Sequence, residues 1–173
     1  MTIEHSLRIC VLFLAALPLS VPVSAQTDRG TAQFSTTEGA IIVDYGRPLL
    51  KGRDPLTWQE DGNYWRMGVN AMTTLRTPVD LMFGNVRIAK GNYGLWLLKE
   101  SSGRYELVFN SDTSGMGMDH DKTKDVGNVP LRKESVTEAV EAFTIELKDG
   151  TDGGVFALTW GTTRLAADFR LSK

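Results

Sequence analysis

The chain has 173 residues, 42% of them hydrophobic and 23% charged, with a formal net charge of −2. Those figures suit one globular domain and exclude collagen-like, coiled-coil and disordered chains. A near-neutral charge argues against nucleic acid as a partner.

The first element in chain order is a targeting segment. Residues Ile9 to Leu19 are apolar apart from Cys10, with Arg8 ahead of them and Pro18 and Pro22 breaking the run. Such a run is too short to span a bilayer. Val23-Ser24-Ala25 supplies small residues for cleavage before Gln26. This is the pattern of a secretory signal peptide over residues 1–25. It predicts an exported domain over residues 26–173, periplasmic or secreted, with no membrane span after cleavage. Glu4 and the single basic residue Arg8 are atypical of such segments, and a buried N-terminal helix is the alternative. Cys10 is the only cysteine and leaves with the segment. The remaining domain therefore has no disulfide, thiol nucleophile or thiolate ligand and relies on its core. At this size a core buries about 70% of the unfolded surface.

The rest reads as strands. Ile41, Val43 and Tyr45 alternate, as do Val79, Leu81 and Phe83. Gly84-Asn85 then marks a hairpin turn before Val86 and Ile88. The stretch from Tyr93 to Leu98 is apolar on both faces, as in a central strand. Ser101-Ser102-Gly103 is a turn, and Tyr105, Leu107 and Phe109 alternate after it. Phe143, Ile145 and Leu147 form another inward face, Gly150 to Gly154 turn the chain, and Phe156, Leu158 and Trp160 return. Gly161-Thr162 is predicted to turn it again, before Leu165, Ala167, Phe169 and Leu171. Seven to eight or more short strands with regular turns predict an all-β fold, an antiparallel β-sandwich in a single domain. Residues Val136 to Ala142 are ambiguous and admit a helical turn. Two segments break the pattern: Gly46 to Met72, dense in Gly, Arg and Trp, and a long loop from Asn110 to Asn128.

The first of these carries a resemblance. Asp44-Tyr45-Gly46-Arg47-Pro48 is followed by Lys51-Gly52-Arg53, Trp65-Arg66, Gly68, Asn70 and Thr73. Gly91-x-Tyr93-x-Leu95 and Phe109-Asn110 follow at the matching spacing. Together these resemble the DUF2911 family of exported bacterial proteins, over roughly Thr36 to Leu171. The resemblance implies a β-sandwich and export, and it carries no activity over. The chain departs from the family pattern at Met67, commonly Thr, and at Ala71, commonly Glu. Were that Glu an acid or base in relatives, this chain would lack it.

Arg47, Lys51, Arg53 and Arg66 lie close together among glycines. Guanidinium forks bind carboxylate or phosphate in pairs of hydrogen bonds, and glycines let backbone N–H groups approach a ligand. Tyr45, Asn70 and Thr73 add neutral hydrogen-bonding groups. The candidate ligand-binding set is therefore Tyr45, Arg47, Lys51, Arg53, Arg66, Asn70 and Thr73, with the Asn110 to Asn128 loop as a possible cover. Against this stands internal pairing, since Asp44, Asp54, Glu60 and Asp61 match the four cations in number.

Metal and catalytic signatures are weak, and no catalytic residue, metal or cofactor is assigned. His120, in Asp119-His120-Asp121, is the only histidine after cleavage and cannot build a multi-histidine site. Calcium spacing fails, because Lys124 stands where the loop needs Gly and Pro130 where it needs Glu. A solvated acidic loop is the preferred reading there. Met116 and Met118 beside it are soft donors, a thin case with one His. Ser114 lacks a nucleophile elbow, and Gly115-x-Gly117 lacks a third Gly and a following helix. Trp58 and Trp65 flank a loop and suit either the core or stacking on a sugar. Three readings stay open. The first is an exported module binding a small anionic or polar molecule. The second is a structural or interaction protein whose partner is an envelope component. The third, less favoured, is an envelope hydrolase.

Overall fold

The structure is a computed structural model that describes residues 29–53, 56, 59–114 and 116–172. The expected signal peptide over residues 1–25 lies outside the described residues, as do Asp54 and Trp58. No helix among the described residues is long and apolar enough to cross a membrane.

The described chain is an all-β antiparallel sandwich. Its strands are β1 (Arg29–Thr36), β2 (Gly39–Gly46), β3 (Tyr64–Trp65), β4 (Thr74–Thr77) and β5 (Asp80–Phe83). They continue with β6 (Val86–Ile88), β7 (Gly91–Lys99), β8 (Tyr105–Asn110), β9 (Asp125–Asp149) and β10 (Gly154–Ser172). Hydrogen bonding runs in the order β1-β2-β4-β7-β8-β9-β10-β5-β6, with β3 beside β7. The two long strands make the layers. β9 pairs with β8 up to Leu131 and with β10 from Arg132 onward. β10 in turn ends against β5. One layer is thus β1, β2, β4, β7, β8 and the start of β9; the other is the rest of β9 with β10, β5 and β6.

The core between the layers follows the alternation. Ile41, Val43, Leu75, Leu95, Leu97, Leu107 and Phe109 from one layer meet Phe143, Phe156, Leu158 and Leu165 from the other, each almost wholly buried. Fully burying one such side chain contributes roughly 1.5–3 kcal/mol. An aromatic group closes one end: Trp65 lies 5.7 Å from Trp160 and 5.1 Å from Phe143, which Tyr45 meets edge-on at 5.9 Å.

Several expectations need correction. Ten strands are present among the described residues, which agrees with the expected seven to eight or more, but their bounds differ. β1, β3 and β4 had no clear alternation, and β9 begins at Asp125 inside the expected long loop. Gly161 is not a turn between strands but a bulge in continuous β10, at φ 60. Residues 136–142 are strand, not helix. There β9 carries extra residues against β10, whose Thr159, Gly161 and Thr163 face Thr144, Val140 and Ser135. The surplus has a second partner. Leu49 bridges Ala142, Leu50 N–H donates to Glu141 (2.7 Å), and Phe143 N–H donates to Pro48 (2.9 Å). Residues 47–53 therefore form a strap along the bulged part of β9. At the start of this strap Gly46 lets the Val69 backbone approach closely, because a Cβ there would overlap it.

Candidate functional site

The predicted binding residues fall into separate places. Tyr45 is buried on β2, its hydroxyl donating to the Ile145 carbonyl at 3.2 Å. Thr73 is fully buried, its hydroxyl donating to the Met67 carbonyl at 2.7 Å. Arg47 lies against β9, with Nε 3.4 Å from the Phe143 carbonyl and Nη2 3.4 Å from Thr144 Oγ1. Arg53 folds back on its own turn, to the carbonyls of Leu49 (3.0 Å) and Leu50 (3.2 Å). Lys51 donates its backbone N–H to Glu141 Oε1 at 3.0 Å. Asn70 is exposed. Arg66 differs from the other cations. It reaches the loop after β8, with Nη1 2.5 Å from the Met116 carbonyl and 3.2 Å from Met118 Sδ. The cations of the segment thus end on separate groups. Asp44 pairs with Arg29, and Asp61 with Lys99. Lys51, Leu56, Met67 and Asn70 all have positive φ and are the only non-glycine residues among those described that do. Left-handed backbone costs such residues on the order of 1 kcal/mol each, so surrounding contacts hold this segment in shape.

What the structure gathers instead is the loop of residues 111–121, laid on the outer face of the first layer. On β7, Tyr93, Leu95 and Leu97 face the core, so Gly94, Trp96 and Leu98 face outward. Trp96 and Val108 form a small second cluster with Met72, bordered by Tyr64 and Leu98. The loop covers it and leaves a cavity of about 200 Å³. Met72, Trp96 and Asn110 form its floor, and Asp112, Met116 and Met118 form its roof.

Each anchor of the loop has a physical cause. Asn110 is buried and donates through Nδ2 to the Asp121 carbonyl (2.9 Å) and to Asp125 Oδ1 (2.8 Å). Asp112 accepts from Ser114 N–H (2.9 Å), Ser114 Oγ (2.6 Å) and Lys124 Nζ (2.7 Å). The Lys124 and Ser114 hydrogen bonds hold its carboxyl well below the usual carboxylate range. Asp121 caps the turn Lys122–Lys124 by accepting from Thr123 N–H and Oγ1, and those bonds lower its pKa too. His120 is the central anchor. Its ring stacks on Tyr64 at 3.7 Å and meets Trp96 edge-on at 5.0 Å. Its Nε2 lies 2.8 Å from Asp125 Oδ1, and its side chain is only 6% exposed. The reading of Asp119-His120-Asp121 as a solvated loop is therefore corrected at its centre.

Among the described residues, three buried side-chain polar atoms have no hydrogen-bond partner: Gln59 Oε1, Trp96 Nε1 and His120 Nδ1. Trp96 lines the cavity, and the His120 ring packs against Trp96. Unpaired buried polar groups cost roughly 1–3 kcal/mol each and call for an explanation. Asp119 and Asp121 also line the cavity, so with Asp112 three carboxylates face it. No group of three or more His, Cys, Asp or Glu among the described residues is placed to hold a metal ion.

The fold and this site define a single-domain antiparallel sandwich with a loop-roofed cavity on an outer sheet face. Residues 27–169 match the family described as "Protein of unknown function (DUF2911)", and the chain belongs to that family. No curated protein and no solved structure matches it.

Proposed function

We propose that the protein is an exported binding module that holds a small polar ligand in the cavity beneath residues 111–121. The observation that carries this reading is the Trp96 indole N–H, buried in the cavity wall with no protein acceptor. A ligand acceptor there would satisfy it, and Asn110 and Ser114 beside it add neutral polar groups. Asp112, Asp119 and Asp121 disfavour an anion, so the ligand is neutral or cationic. Within the Arg-rich segment, Arg66 serves the site by tying down the roof. Arg47 and Arg53 serve the fold, since their guanidinium groups end on backbone carbonyls and a threonine hydroxyl.

Export rests on the Ile9 to Leu19 run and Val23-Ser24-Ala25. N-terminal sequencing of protein recovered outside the cytoplasm is expected to begin near Gln26; a chain still beginning at Met1 would overturn it. The binding reading is tested by titrating backbone and indole N–H spectra with sugars, amino acids, amines and carboxylates. Shifts at Trp96 Nε1–H and residues 111–121 are expected. Shifts confined to the strap of residues 47–53, or none with any compound, would refute the assignment.

A further inference from the structure

The chain has six methionines, and they differ sharply in their access to solvent. Met67 is fully buried and Met72 is 6% exposed, whereas Met116 and Met118 on the roof are 55% and 75% exposed. An exposed thioether is open to oxidants from which a buried one is shielded. Exposure alone makes a methionine oxidisable; what sets Met118 apart is its neighbour.

Arg66 Nη1 lies 3.2 Å from Met118 Sδ and 2.5 Å from the Met116 carbonyl. Gly117 lets the arginine arm come this close. It has φ 60, and a Cβ there would lie 3.0 Å from Arg66 Cβ and 3.1 Å from Arg66 Cδ. The arm thus packs on Gly117, with its charged end at Met116 and Met118. Among the described residues no carboxylate pairs with Arg66, so its cation meets the roof through a carbonyl and a thioether. A thioether sulfur is a weak acceptor, whereas a guanidinium presents five N–H donors in a fixed fork. The strongest tie available at this contact is unmade while the sulfur is reduced.

We propose that Met118 is a redox modification site: a peroxide converts its thioether to the sulfoxide, whose oxygen accepts from the Arg66 guanidinium and fastens the roof over the cavity. In that step a sulfur lone pair attacks one peroxide oxygen and forms the S–O bond. The O–O bond breaks, the departing hydroxide takes the proton from the transferred oxygen, and water leaves. Sulfur is oxidised by two electrons and the peroxide is reduced by two. The new oxygen sits on the atom that Arg66 already touches, and its hydrogen bond from a cation is charge-assisted. Met118 already stands in solvent, so added polarity at its sulfur disrupts no core, as it would at Met67 or Met72. Reduction of the sulfoxide reverses the change. The inference concerns the roof and not what lies beneath it, and its readouts need no ligand.

The test treats the purified protein with hydrogen peroxide and reads each methionine by peptide mass spectrometry. Met116 and Met118 are expected to gain oxygen before Met67 and Met72. The tie itself is read from exchange of the Trp96 indole N–H with solvent, since that group is buried beneath the roof without a hydrogen bond. The variant Met116→Leu leaves Met118 as the one oxidisable thioether of the roof. In it, peroxide should slow this exchange by about tenfold or more, the order expected of one hydrogen bond to a charged group. Methionine sulfoxide reductases should restore the original rate. The slowing should vanish when Arg66→Ala is added. Met118→Gln, which supplies an amide oxygen at similar reach, should slow the exchange without any peroxide. A Met118 that stays reduced while Met72 is oxidised would overturn the proposal. So would unchanged or faster exchange in the oxidised protein, slowing that persists without Arg66, or no effect of Met118→Gln.

Discussion

Replacing Gly94 with Ala tests whether residues 111–121 are seated on the sheet as described. Gly94 is buried in β7, between Thr74 of β4 and Asn110 of β8. A Cβ there would overlap the Asp112 carbonyl oxygen and lie 2.6 Å from Met72 Sδ. The Met72 thioether can rotate away, but the Asp112 backbone is held by the Asp112 N–H bond to Asn110 Oδ1 at 2.9 Å. Extra methyl groups in packed sites cost typically about 1–3 kcal/mol. Against that, removing a glycine restricts the unfolded chain and returns about 0.4–1 kcal/mol. The net expectation is a destabilisation of about 1–2 kcal/mol. For a domain of this size each kcal/mol moves Tm by roughly 2–4 °C, so the variant should melt about 2–8 °C lower in calorimetry. Amide exchange across residues 111–121 should accelerate more than exchange in β9 and β10, because the added methyl lifts the roof first. A variant as stable as the parent, with unchanged exchange in the loop, would refute the seating of this segment on β7.

Three further outcomes follow from the same contacts. Phe143→Ala removes a fully buried ring that meets Tyr45, Trp65 and Trp160, and should cost about 3–5 kcal/mol in denaturant unfolding. Arg66→Ala should leave Tm nearly unchanged, since the side chain is only half-buried, but should speed amide exchange at residues 116–118; Arg47→Ala should instead lower Tm, by about 1–3 kcal/mol in stability. Asp80, Asp112 and Asp121 are held below their ordinary value of 3.8 in the folded state, Asp80 chiefly by the Lys90 N–H and Arg87. Their contribution is therefore present above about pH 4 and lost as pH falls below it, so denaturation midpoints should drop from pH 5 to pH 2, and an unchanged midpoint would contradict these bonds.

The sequence reads well where a strand has one wet and one dry face. Ile41, Val43 and Tyr45 or Phe156, Leu158 and Trp160 alternate because the second layer lies on one side only. β1 escapes that reading because its sequence, Arg-Gly-Thr-Ala-Gln-Phe-Ser-Thr, places only Ala32 and Phe34 inward at an edge. β9 escapes it because its surplus residues near Ala142 are satisfied by Pro48 and Leu50, almost a hundred positions earlier. Periodicity within a segment carries no trace of such a partner. The same limit separated the Arg-rich segment from the cavity, since where a guanidinium ends depends on tertiary pairing.

One signal for the cavity was nevertheless present. The stretch from Tyr93 to Leu98 is apolar on both faces, which suits a strand covered on both sides. The second layer covers Tyr93, Leu95 and Leu97 but leaves Trp96 facing away from it. In a sandwich of two layers, an outward Trp must be covered by a loop, and a loop can cover it only with side chains of its own. The long irregular segment directly after β8, which is the neighbour of β7, is the nearest chain able to do so. Its one aromatic side chain is His120, and Tyr64 on the adjacent β3 completes the stack. A ring used as cover can spend only one nitrogen on Asp125, and the other is left buried. The dry face of β7 thus dictates both where the loop docks and why an imidazole nitrogen is left buried without a partner.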